Sequence, residues 1–504
     1  MVQRVATVAF EGIEARAVDV QVQVAPGLPA FNIVGLPDKA VSEAKERVRA
    51  ALVASGLALP ARRITVNLAP ADLPKEGSHY DLPIALGLMA AIGAIPHDAL
   101  AGFTVLGELG LDGSVRPVPG TLALVDALAR AGVGAVVVPA ANASEAELVG
   151  GVRVRAARTL GELRACLKGE EPWPDWDPPA VDPGGDPDAA LGDDELVDLA
   201  DVRGLPFARH ALEVAAAGGH HLLFCGPPGT GKTMLARRLG TILPPLSPAE
   251  ALEVTRIHSA AGEPVRGRLV GHRPFRAPHH TASTAALVGG GSGRARPGEI
   301  TLAHRGVLFL DELGEFAPSS LDALRQPLEE RAVRISRQPV SLTFPAAFQL
   351  VACSNPCPCG AGAQGCRCSD AQRERYRRRL SAPLLDRFDL RVRVDAPDAA
   401  DVRGECSADV ALRVAAAFGR QRARYADWPW SQNAHVAPGA ATRLLSLERD
   451  ADDAWRFLIA ERSLTGRGAT RIRRVARTLA DLDDAAAITA DHLELASSMR
   501  GDVP

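Results

Sequence analysis

Residues 226–233 carry the first pattern that could do chemistry. They read Gly-Pro-Pro-Gly-Thr-Gly-Lys-Thr and fit G-x-x-x-x-G-K-S/T, the pattern of a phosphate-binding loop. An apolar run precedes the loop and predicts a buried strand, and the residues from Met234 on predict a helix. Backbone N–H groups in such a loop surround a phosphate, and the helix N-terminus favours negative charge. The expected nucleotide-binding residues are Gly226, Pro227, Pro228, Gly229, Thr230, Gly231, Lys232 and Thr233.

An acid pair follows a second apolar run further along the chain. Val307-Leu-Phe-Leu310 predicts a buried parallel strand, and Asp311 and Glu312 come directly after it. Ligands bind at the carboxyl edge of open α/β sheets, where such residues lie. Thr233 and Asp311 suit a Mg²⁺ ion, Lys232 suits the β- and γ-phosphates, and Glu312 suits activation of an attacking water. The two motifs together predict nucleotide hydrolysis.

Two further residues follow the acid pair in an order that suits the same chemistry. Asn355 ends the apolar run from Phe348 and is expected beside the γ-phosphate, although a lone asparagine at a strand end usually forms a turn. Arg387 could reach the nucleotide site of a neighbouring subunit, where an arginine finger is worth roughly 10³–10⁵ in rate. Spacing alone favours instead an ion pair of Arg387 with Asp386 or Asp389.

Arginines and cysteines form three more clusters. Arg467, Arg471 and Arg474 share one face of a predicted helix, which can contact phosphate or simply be solvated. Four of the eight cysteines crowd into residues 357–368, a segment that we call the cysteine knuckle. Tetrahedral Zn²⁺ suits four thiolates; an Fe–S cluster and a metal-free loop remain alternatives. The basic run of residues 373–379 can face DNA phosphates or be a solvated helix. The four knuckle cysteines are Cys357, Cys359, Cys366 and Cys368.

The segment 273–294 contains two adjacent histidines and several glycines. No carboxylate lies close to His279 and His280 in the sequence, so the pair is weak evidence for a metal site. We expect a loop that faces a central pore.

Composition limits the class of protein. A chain of 504 residues is expected to form two to four domains. The net charge of −3 argues against a uniformly basic nucleic-acid-binding protein but allows a local basic surface. Only five of the 57 basic residues are lysine, so compositional bias weakens arginine clusters as functional signals. The sequence contains no apolar run of membrane-spanning length and begins with no signal peptide, so we expect a cytoplasmic protein without a membrane partner.

The order of patterns predicts four regions. Residues 1–168 alternate strand-like and helical segments, and apolar residues at helical spacing predict a helix over residues 38–55. Residues 169–196 read as an acidic linker rich in Pro and Gly. Residues 197–399 hold the nucleotide motifs and the cysteine knuckle. Residues 400–504 have helical periodicity and are predicted to form a lid.

Taken together, these motifs resemble one family. The stretches GPPGTGKTMLARRL, RPFRAPHHTAS, LAHRGVLFLDEL, LRQPLEE, NPCPCG, LLDRFDL and ARTLADL resemble the YifB/ComM group of magnesium-chelatase-like AAA+ ATPases. The resemblance covers nearly the whole chain except the linker. It implies an α/β AAA+ core with a helical insert near residues 273–296, a helical lid, ATP and Mg²⁺ as cofactors, and a homo-hexamer. It also assigns Arg387 to the finger position and Arg467 to the sensor-2 position.

The N-terminal region is similar to the Lon protease domain, an α+β fold. The stretch 74–81 puts His79 where Lon has its serine, with Ser78 one residue before, and Leu124 where Lon has its lysine. We therefore expect a scaffold without peptidase activity.

The resemblance implies a hexameric helicase that drives branch migration on single-stranded or branched DNA during recombination and natural transformation. Two alternatives share the ATPase core. One is the motor subunit of a chelatase that inserts Mg²⁺ or Co²⁺ into tetrapyrroles, and the other is an ATPase that remodels protein partners.

Overall fold

The structure is a computed structural model that describes residues 2–174, 197–290, 295–337, 340–361, 365–396 and 404–501. The acidic stretch at 175–196, most of the predicted linker, lies outside the described residues. So does the segment 397–403, where the boundary between core and lid was predicted.

The N-terminal domain is built on a seven-stranded mixed sheet with the order β3-β4-β2-β1-β5-β8-β9. β2 runs antiparallel to β1 and β4, and the remaining neighbours are parallel. Its elements are β1 (Val2–Glu11), β2 (Glu14–Ala25), β3 (Ala30–Val34), α1 (Lys39–Ala54), β4 (Arg63–Ala69), α2 (Asp81–Ala91), β5 (Phe103–Val105), β6 (Glu108–Leu109), β7 (Val115–Arg116), α3 (Thr121–Arg130), β8 (Ala135–Pro139), α4 (Ala143–Glu147), β9 (Arg153–Ala157) and α5 (Leu160–Lys168).

Helix α1 shows how the sequence pattern produces this domain. Asp38 caps the helix by accepting a hydrogen bond from the N–H of Val41 at 2.7 Å. The five apolar residues that recur at helical spacing are all buried against the sheet: Val41, Ala44, Val48, Ala51 and Leu52. The helix predicted for residues 38–55 is therefore confirmed.

The central domain is built on a five-stranded, wholly parallel sheet with the order β11-β14-β17-β10-β18. The strands predicted before the phosphate loop, the acid pair and Asn355 are β10, β14 and β17. The elements are α6 (Pro206–Gly218), β10 (Leu222–Cys225), α7 (Lys232–Arg237), α8 (Pro248–Ala261), β11 (Phe275–Arg276), α9 (Thr284–Val288), β12 (Gly289–Gly290), β13 (Arg296–Pro297), α10 (Glu299–Leu302), β14 (Val307–Leu310), α11 (Pro318–Ala323), α12 (Arg325–Glu330), β15 (Ala332–Arg337), β16 (Val340–Pro345), β17 (Gln349–Ser354), α13 (Asp370–Arg379), α14 (Ala382–Leu385) and β18 (Leu390–Arg393).

The described residues of the insert before the acid pair are only partly helical. They include the strand β11, the five-residue helix α9 and the two-stranded antiparallel ribbon β12–β13. Gly289 follows α9 at φ +99°, a backbone conformation that ends the helix. Glycine suits this position because L side chains rarely adopt a positive φ. Residues 291–294 of the predicted pore loop lie outside the described residues.

The C-terminal region is helical, as predicted. Its elements are α15 (Ser407–Arg424), α16 (Pro438–Leu444), α17 (Ala451–Glu461), α18 (Gly466–Leu482) and α19 (Ala490–Ser498). Apolar residues of α15 and α18 share one core with α6 and with strands of the central sheet. The helices are therefore packed against the nucleotide domain over an apolar interface.

The N-terminal and central domains are joined through polar contacts between α3, α4 and α8. Arg256 on α8 forms an ion pair with Asp126 on α3 at 3.1 Å. Ser259, also on α8, donates a hydrogen bond to Glu145 at 2.5 Å, and both residues are buried. Because buried polar groups need partners, these contacts fix the position of α8 against α3 and α4.

A buried carboxylate holds the helical region together, and its neutralisation should destabilise that region. Asp481 is fully buried; it pairs with Arg477 at 3.0 Å and accepts a hydrogen bond from Asn433 at 2.8 Å. We expect Asp481→Asn to cost about 3–5 kcal/mol, because the buried Arg477 cation would lose its counter-charge. Urea unfolding followed by circular dichroism measures this loss. The exposed Asp453→Asn is the matched control and should stay within about 0.5 kcal/mol; equal midpoints for the two variants would contradict the account.

Candidate nucleotide site

The phosphate loop connects β10 to the N-terminus of α7. Gly231 caps α7 at φ +87°. A Cβ placed on Gly226 would lie 1.9 Å from the carbonyl oxygen of Val394, so only glycine fits there. Lys232 is buried, and its ammonium donates hydrogen bonds to the carbonyl oxygens of Gly226 (2.8 Å) and Pro227 (2.6 Å). Burial lowers the pKa of Lys232. The loop therefore holds a cation at the position where a phosphate would be bound.

The two residues predicted to hold Mg²⁺ are in direct contact. Thr233 Oγ1 donates a hydrogen bond to Asp311 Oδ2 at 2.9 Å. The other oxygen of Asp311 accepts the N–H of Glu312 at 2.9 Å. A hydroxyl and a carboxylate at this spacing form part of the oxygen ligand set that Mg²⁺ prefers.

Glu312 lies at the surface of the site in an unusual backbone conformation. Its φ is +50°, in the left-handed region, a strain that clusters at functional sites. Its Oε2 lies 3.3 Å from Nδ1 of His280, and the ring of His280 packs edge-on to Phe316. No carboxylate is close to the two histidines in the sequence, but the fold brings Glu312 next to His280. β11 and β14 are adjacent in the sheet, which brings together residues far apart in the chain.

Asn355 directly follows β17, between the strands that carry the phosphate loop and the acid pair. Cys225 pairs with Ser354 in the sheet, and Leu310 pairs with Ala352. The polar ends of the three strands therefore meet at one edge, as predicted.

The structure gives Arg387 an ion-pair partner other than the two that its spacing in the sequence favours. Its side chain is buried; it pairs with Glu329 and donates to the carbonyl oxygen of Pro383 at 2.7 Å. The expected ion pair with Asp386 or Asp389 was wrong, because those carboxylates have other partners. Asp386 pairs with Arg391 and Arg500, and Asp389 pairs with Arg471.

The arginines on one face of α18 have different surroundings. Arg471 donates to Asp389 at 2.7 Å and to the carbonyl oxygen of Arg387 at 2.9 Å. Arg474 is largely buried and donates to the carbonyl oxygen of Val436. Arg467 is exposed one turn before Arg471. Among the described residues, no hydrogen bond or ion pair joins Arg467 to the phosphate loop, and its helical face is next to Arg387.

A cavity of about 320 Å³ lies around Arg387, at the junction of the central and helical regions. Burial lowers the pKa of His221, in its wall, to about 4, so this histidine is neutral at pH 7. Arginine therefore provides the positive charge of the cavity. Its charged residues are Glu329, Arg331, Arg387, Asp389, Arg471 and Arg474.

The cysteine knuckle fits a tetrahedral metal ion. The four sulfur atoms lie within 4.8 Å of one another, and those of Cys357 and Cys366 are 3.6 Å apart. Sulfurs of a tetrahedral zinc site are separated by roughly 3.8 Å, which follows from Zn–S bonds of about 2.3 Å. Backbone hydrogen bonds from Ala361 and Arg367 lower the pKa of Cys359 to about 6, whereas burial raises the pKa of Cys368 to about 12, so Cys359 loses its proton before Cys368. The knuckle can therefore bind a metal ion.

The basic helix α13 follows the knuckle, and its arginines are not equivalent. Arg378 pairs with Glu374 at 3.0 Å, and Arg373 pairs with Asp370. Arg379 donates to the carbonyl oxygen of Gly314, just after the acid pair, at 3.1 Å. Arg375 and Arg377 are exposed, and among the described residues neither has an ion-pair partner.

Two arginines of the insert have structural roles. Arg273 is buried and donates to the carbonyl oxygens of Pro244 and Arg305, both at 2.7 Å. Arg276 pairs with Glu299 at 2.8 Å and with Glu263 at 3.1 Å. These two side chains are therefore engaged within the chain, and the pore-facing position of the segment 273–294 stays a prediction.

Sequence patterns did not identify three side chains that surround the site. They are His280, Tyr376 and Arg379, each of which contacts the end of β14 or β17, or the turn after the acid pair. The adjacent histidines were visible in the sequence, but their partner was not.

The parallel sheet, the phosphate loop and the acid pair at its carboxyl edge define a P-loop nucleotide-binding protein of the α/β class. Three family models match the chain. The model described as "Magnesium chelatase, subunit ChlI" matches residues 198–402, "Subunit ChlI of Mg-chelatase" matches residues 20–142, and "Magnesium chelatase, subunit ChlI C-terminal" matches residues 404–500.

Several relatives match the whole length of the chain. An uncharacterised protein of Mycobacterium tuberculosis is 45% identical over 99% of this chain and 98% of its own length. The uncharacterised protein YifB of Escherichia coli and the competence protein ComM of Haemophilus influenzae are each 42% identical over 97% of this chain and 95% of their own length. The chain therefore belongs to the YifB/ComM family of magnesium-chelatase-like AAA+ proteins. Among the described residues, no helix is long and apolar enough to cross a membrane.

The contact between Thr233 and Asp311 predicts how nucleotide binding depends on Mg²⁺. We expect Asp311→Asn to weaken binding of a fluorescent ATP analogue at least tenfold when Mg²⁺ is present and to change it little without Mg²⁺, because the variant loses a charged metal ligand. Fluorescence titration with and without Mg²⁺ measures both values. The exposed Asp322→Asn is the control, and a wild-type Mg²⁺ dependence in Asp311→Asn would refute the assignment.

Proposed function

We propose that this chain is an ATP-driven DNA motor that acts as a hexameric ring, and specifically a branch-migration helicase. The observation that carries the proposal is the position of the basic helix α13. Exposed Arg375 and Arg377 lie on the helix whose last residue, Arg379, contacts the turn after the acid pair. A strand of DNA bound to α13 would therefore be connected to the proposed hydrolytic residues through Arg379, which contacts Gly314 just after the acid pair.

The arrangement of the site supports the hydrolysis of ATP. Lys232 and the loop N–H groups would bind the phosphates, Thr233 and Asp311 would hold Mg²⁺, and Glu312 would orient and deprotonate the attacking water. When bound, Mg²⁺ neutralises charge on the β- and γ-phosphates. The AAA+ family membership supports the same activity. Asn355, beside the γ-phosphate, would position the water.

Assembly into a ring would complete the site. Arg387 and Arg471 line the cavity of about 320 Å³, and Arg471 donates to the carbonyl oxygen of Arg387. Arg467 lies one turn before Arg471 on the same face of α18. Arg387 and Arg467 would both act on ATP bound by a neighbouring subunit. Arg387 would exchange its partner Glu329 for the γ-phosphate when the ring forms.

Competing functions account for fewer of these features. A chelatase motor subunit would share the ATPase core and the family model's name. The competence protein of H. influenzae matches 97% of this chain, in keeping with a role in natural transformation in the cytoplasm. A chelatase or a protein-remodelling ATPase would also give no reason for exposed arginines beside the site. The N-terminal domain would serve as a Lon-like scaffold without peptidase activity, since Leu124 stands at the position of Lon's lysine.

Mixed rings test the role of Arg387 across subunits. Arg387→Ala and Lys232→Ala subunits should each lose at least 100-fold in turnover when alone, because each lacks one half of every site. Mixing them should restore activity, since some interfaces then combine an intact loop with an intact finger. The readout is steady-state phosphate release against mixing ratio. Full activity of Arg387→Ala alone, at any protein concentration, would refute the proposal.

Salt dependence tests the DNA surface. Replacing Arg375 and Arg377 with Ala should weaken binding of branched DNA and reduce the slope of log K against log salt by about 1.4–1.8, the contribution of two phosphate contacts. Basal ATP hydrolysis should change less than twofold. The control replaces Arg449 and Arg456, which are exposed in the helical region. Equal slopes for the two double variants would exclude α13 as the DNA-binding surface.

We also propose that the knuckle holds one structural Zn²⁺ per chain, with four cysteines and no open position for substrate. Elemental analysis should find one zinc per chain, and Cys359→Ser should lower this content more than fivefold. Cys406→Ser, outside the cluster, should keep it. Iron in place of zinc, or no metal in protein purified without chelator, would refute the proposal.

A further inference from the structure

The cysteine knuckle packs directly against the phosphate loop. Gly360 lies between the first and second pairs of cysteines at φ +78°. A Cβ placed on it would lie 2.8 Å from Cδ of Pro228, in the phosphate loop. The knuckle backbone therefore touches the loop at a point with no space for a side chain.

The same segment contacts the other two parts of the site. Tyr376 on α13 is buried, and its hydroxyl lies 3.3 Å from Oγ of Ser354, at the end of β17. The Tyr376 ring also packs onto Gly314, where an added Cβ would lie 2.5 Å from ring atoms. Arg379 donates to the carbonyl oxygen of Gly314. Gly360, Tyr376 and Arg379 thus contact the phosphate loop, the strand end before Asn355 and the turn after the acid pair, respectively.

The conformation of this segment depends on what joins its cysteines. The knuckle contains several glycines, which have many backbone states to lose on ordering. A metal bound to four sulfurs would fix the loop in the position that presses Gly360 on Pro228. Of the four cysteines only Cys357 is buried; Cys359 is exposed and Cys366 and Cys368 are half-buried, so without the metal three of the four add little burial to hold the knuckle there.

We propose that metal bound by the four cysteines sets the shape of the phosphate loop through the Gly360–Pro228 contact, so that metal binding and nucleotide binding are coupled. This rests on the proposed function only in that the site must bind ATP. Coupling between two ligands is reciprocal and typically changes affinity about 5- to 150-fold. Metal should therefore raise nucleotide affinity, and nucleotide should raise metal affinity by the same factor.

The first experiment uses the full chain with Glu312→Gln, so that ATP is bound and not consumed. Affinity for a fluorescent ATP analogue with Mg²⁺ is measured on zinc-loaded protein, on protein stripped with a zinc-selective chelator, and after reloading with zinc alone. We expect the stripped protein to bind about tenfold more weakly and reloading to restore the affinity. In the reverse direction, MgATP should raise the affinity of the protein for zinc by the same factor, measured by equilibrium competition with a chromogenic chelator.

A substitution separates coupling from loss of fold. Gly360→Ala in zinc-loaded protein should weaken nucleotide binding at least fivefold while zinc content stays at one per chain. Gly262→Ala is the matched control, because Gly262 has φ +91° with no atom within 4 Å of an added Cβ. It carries the same backbone strain and should stay within twofold of the parent.

Equal affinity in stripped and loaded protein that both remain folded, or equal effects of Gly360→Ala and Gly262→Ala, would overturn the coupling. If stripping unfolds the protein, the comparison of the two alanine variants decides. If zinc-loaded protein binds no nucleotide at all, the proposed function fails instead, which separates the two failures.

Discussion

The register of one parallel sheet determines the rest of this site. β10, β14 and β17 end at the same edge, so that the phosphate loop, the acid pair and Asn355 meet there although they are far apart in the chain. All three strands are buried; β10 and β14 are apolar throughout, and β17 is apolar between Gln349 and Ser354. A shift of one residue in the register of β14 would move Asp311 away from Thr233, and their 2.9 Å hydrogen bond would be lost. Nucleotide chemistry thus depends on packing of an apolar core.

Arginine has two roles in this chain, and burial separates them. Arg477, Arg471, Arg273 and Arg276 are bonded to carboxylates or carbonyl oxygens inside the protein, where they fix interfaces between elements. Arg375, Arg377 and Arg467 remain exposed. A chain with a net charge of −3 can therefore present local positive surfaces without being basic overall. Compositional bias toward arginine made these roles inseparable in the sequence.

Local patterns predicted the elements that carry the site, while contacts across the fold had to be observed. The helix at 38–55 and the strands before residues 226, 311 and 355 follow from apolar periodicity and from what a phosphate loop needs on either side. The pairing of His280 with Glu312, by contrast, depends on β11 lying beside β14, a neighbour relation that periodicity does not specify. The partner of Arg387 was mispredicted because Asp386 and Asp389 are near it in sequence, whereas Glu329 approaches from α12. The sequence did not predict the ribbon β15–β16, nor that the helix α9 in the insert ends at Gly289. The resemblance to Lon protease remains a prediction.

The proposed function requires that one protein assembly both binds DNA and hydrolyses ATP. The most direct measurement is the rate of phosphate release by purified full-length protein with and without a mobile four-way DNA junction, with Glu312→Gln as the control for contaminating ATPases. The account predicts Mg²⁺-dependent hydrolysis that the junction stimulates severalfold, conversion of the junction only when ATP is present, and neither activity in the variant. Hydrolysis that proceeds at the same rate with and without DNA, in a protein that binds no junction, would contradict it.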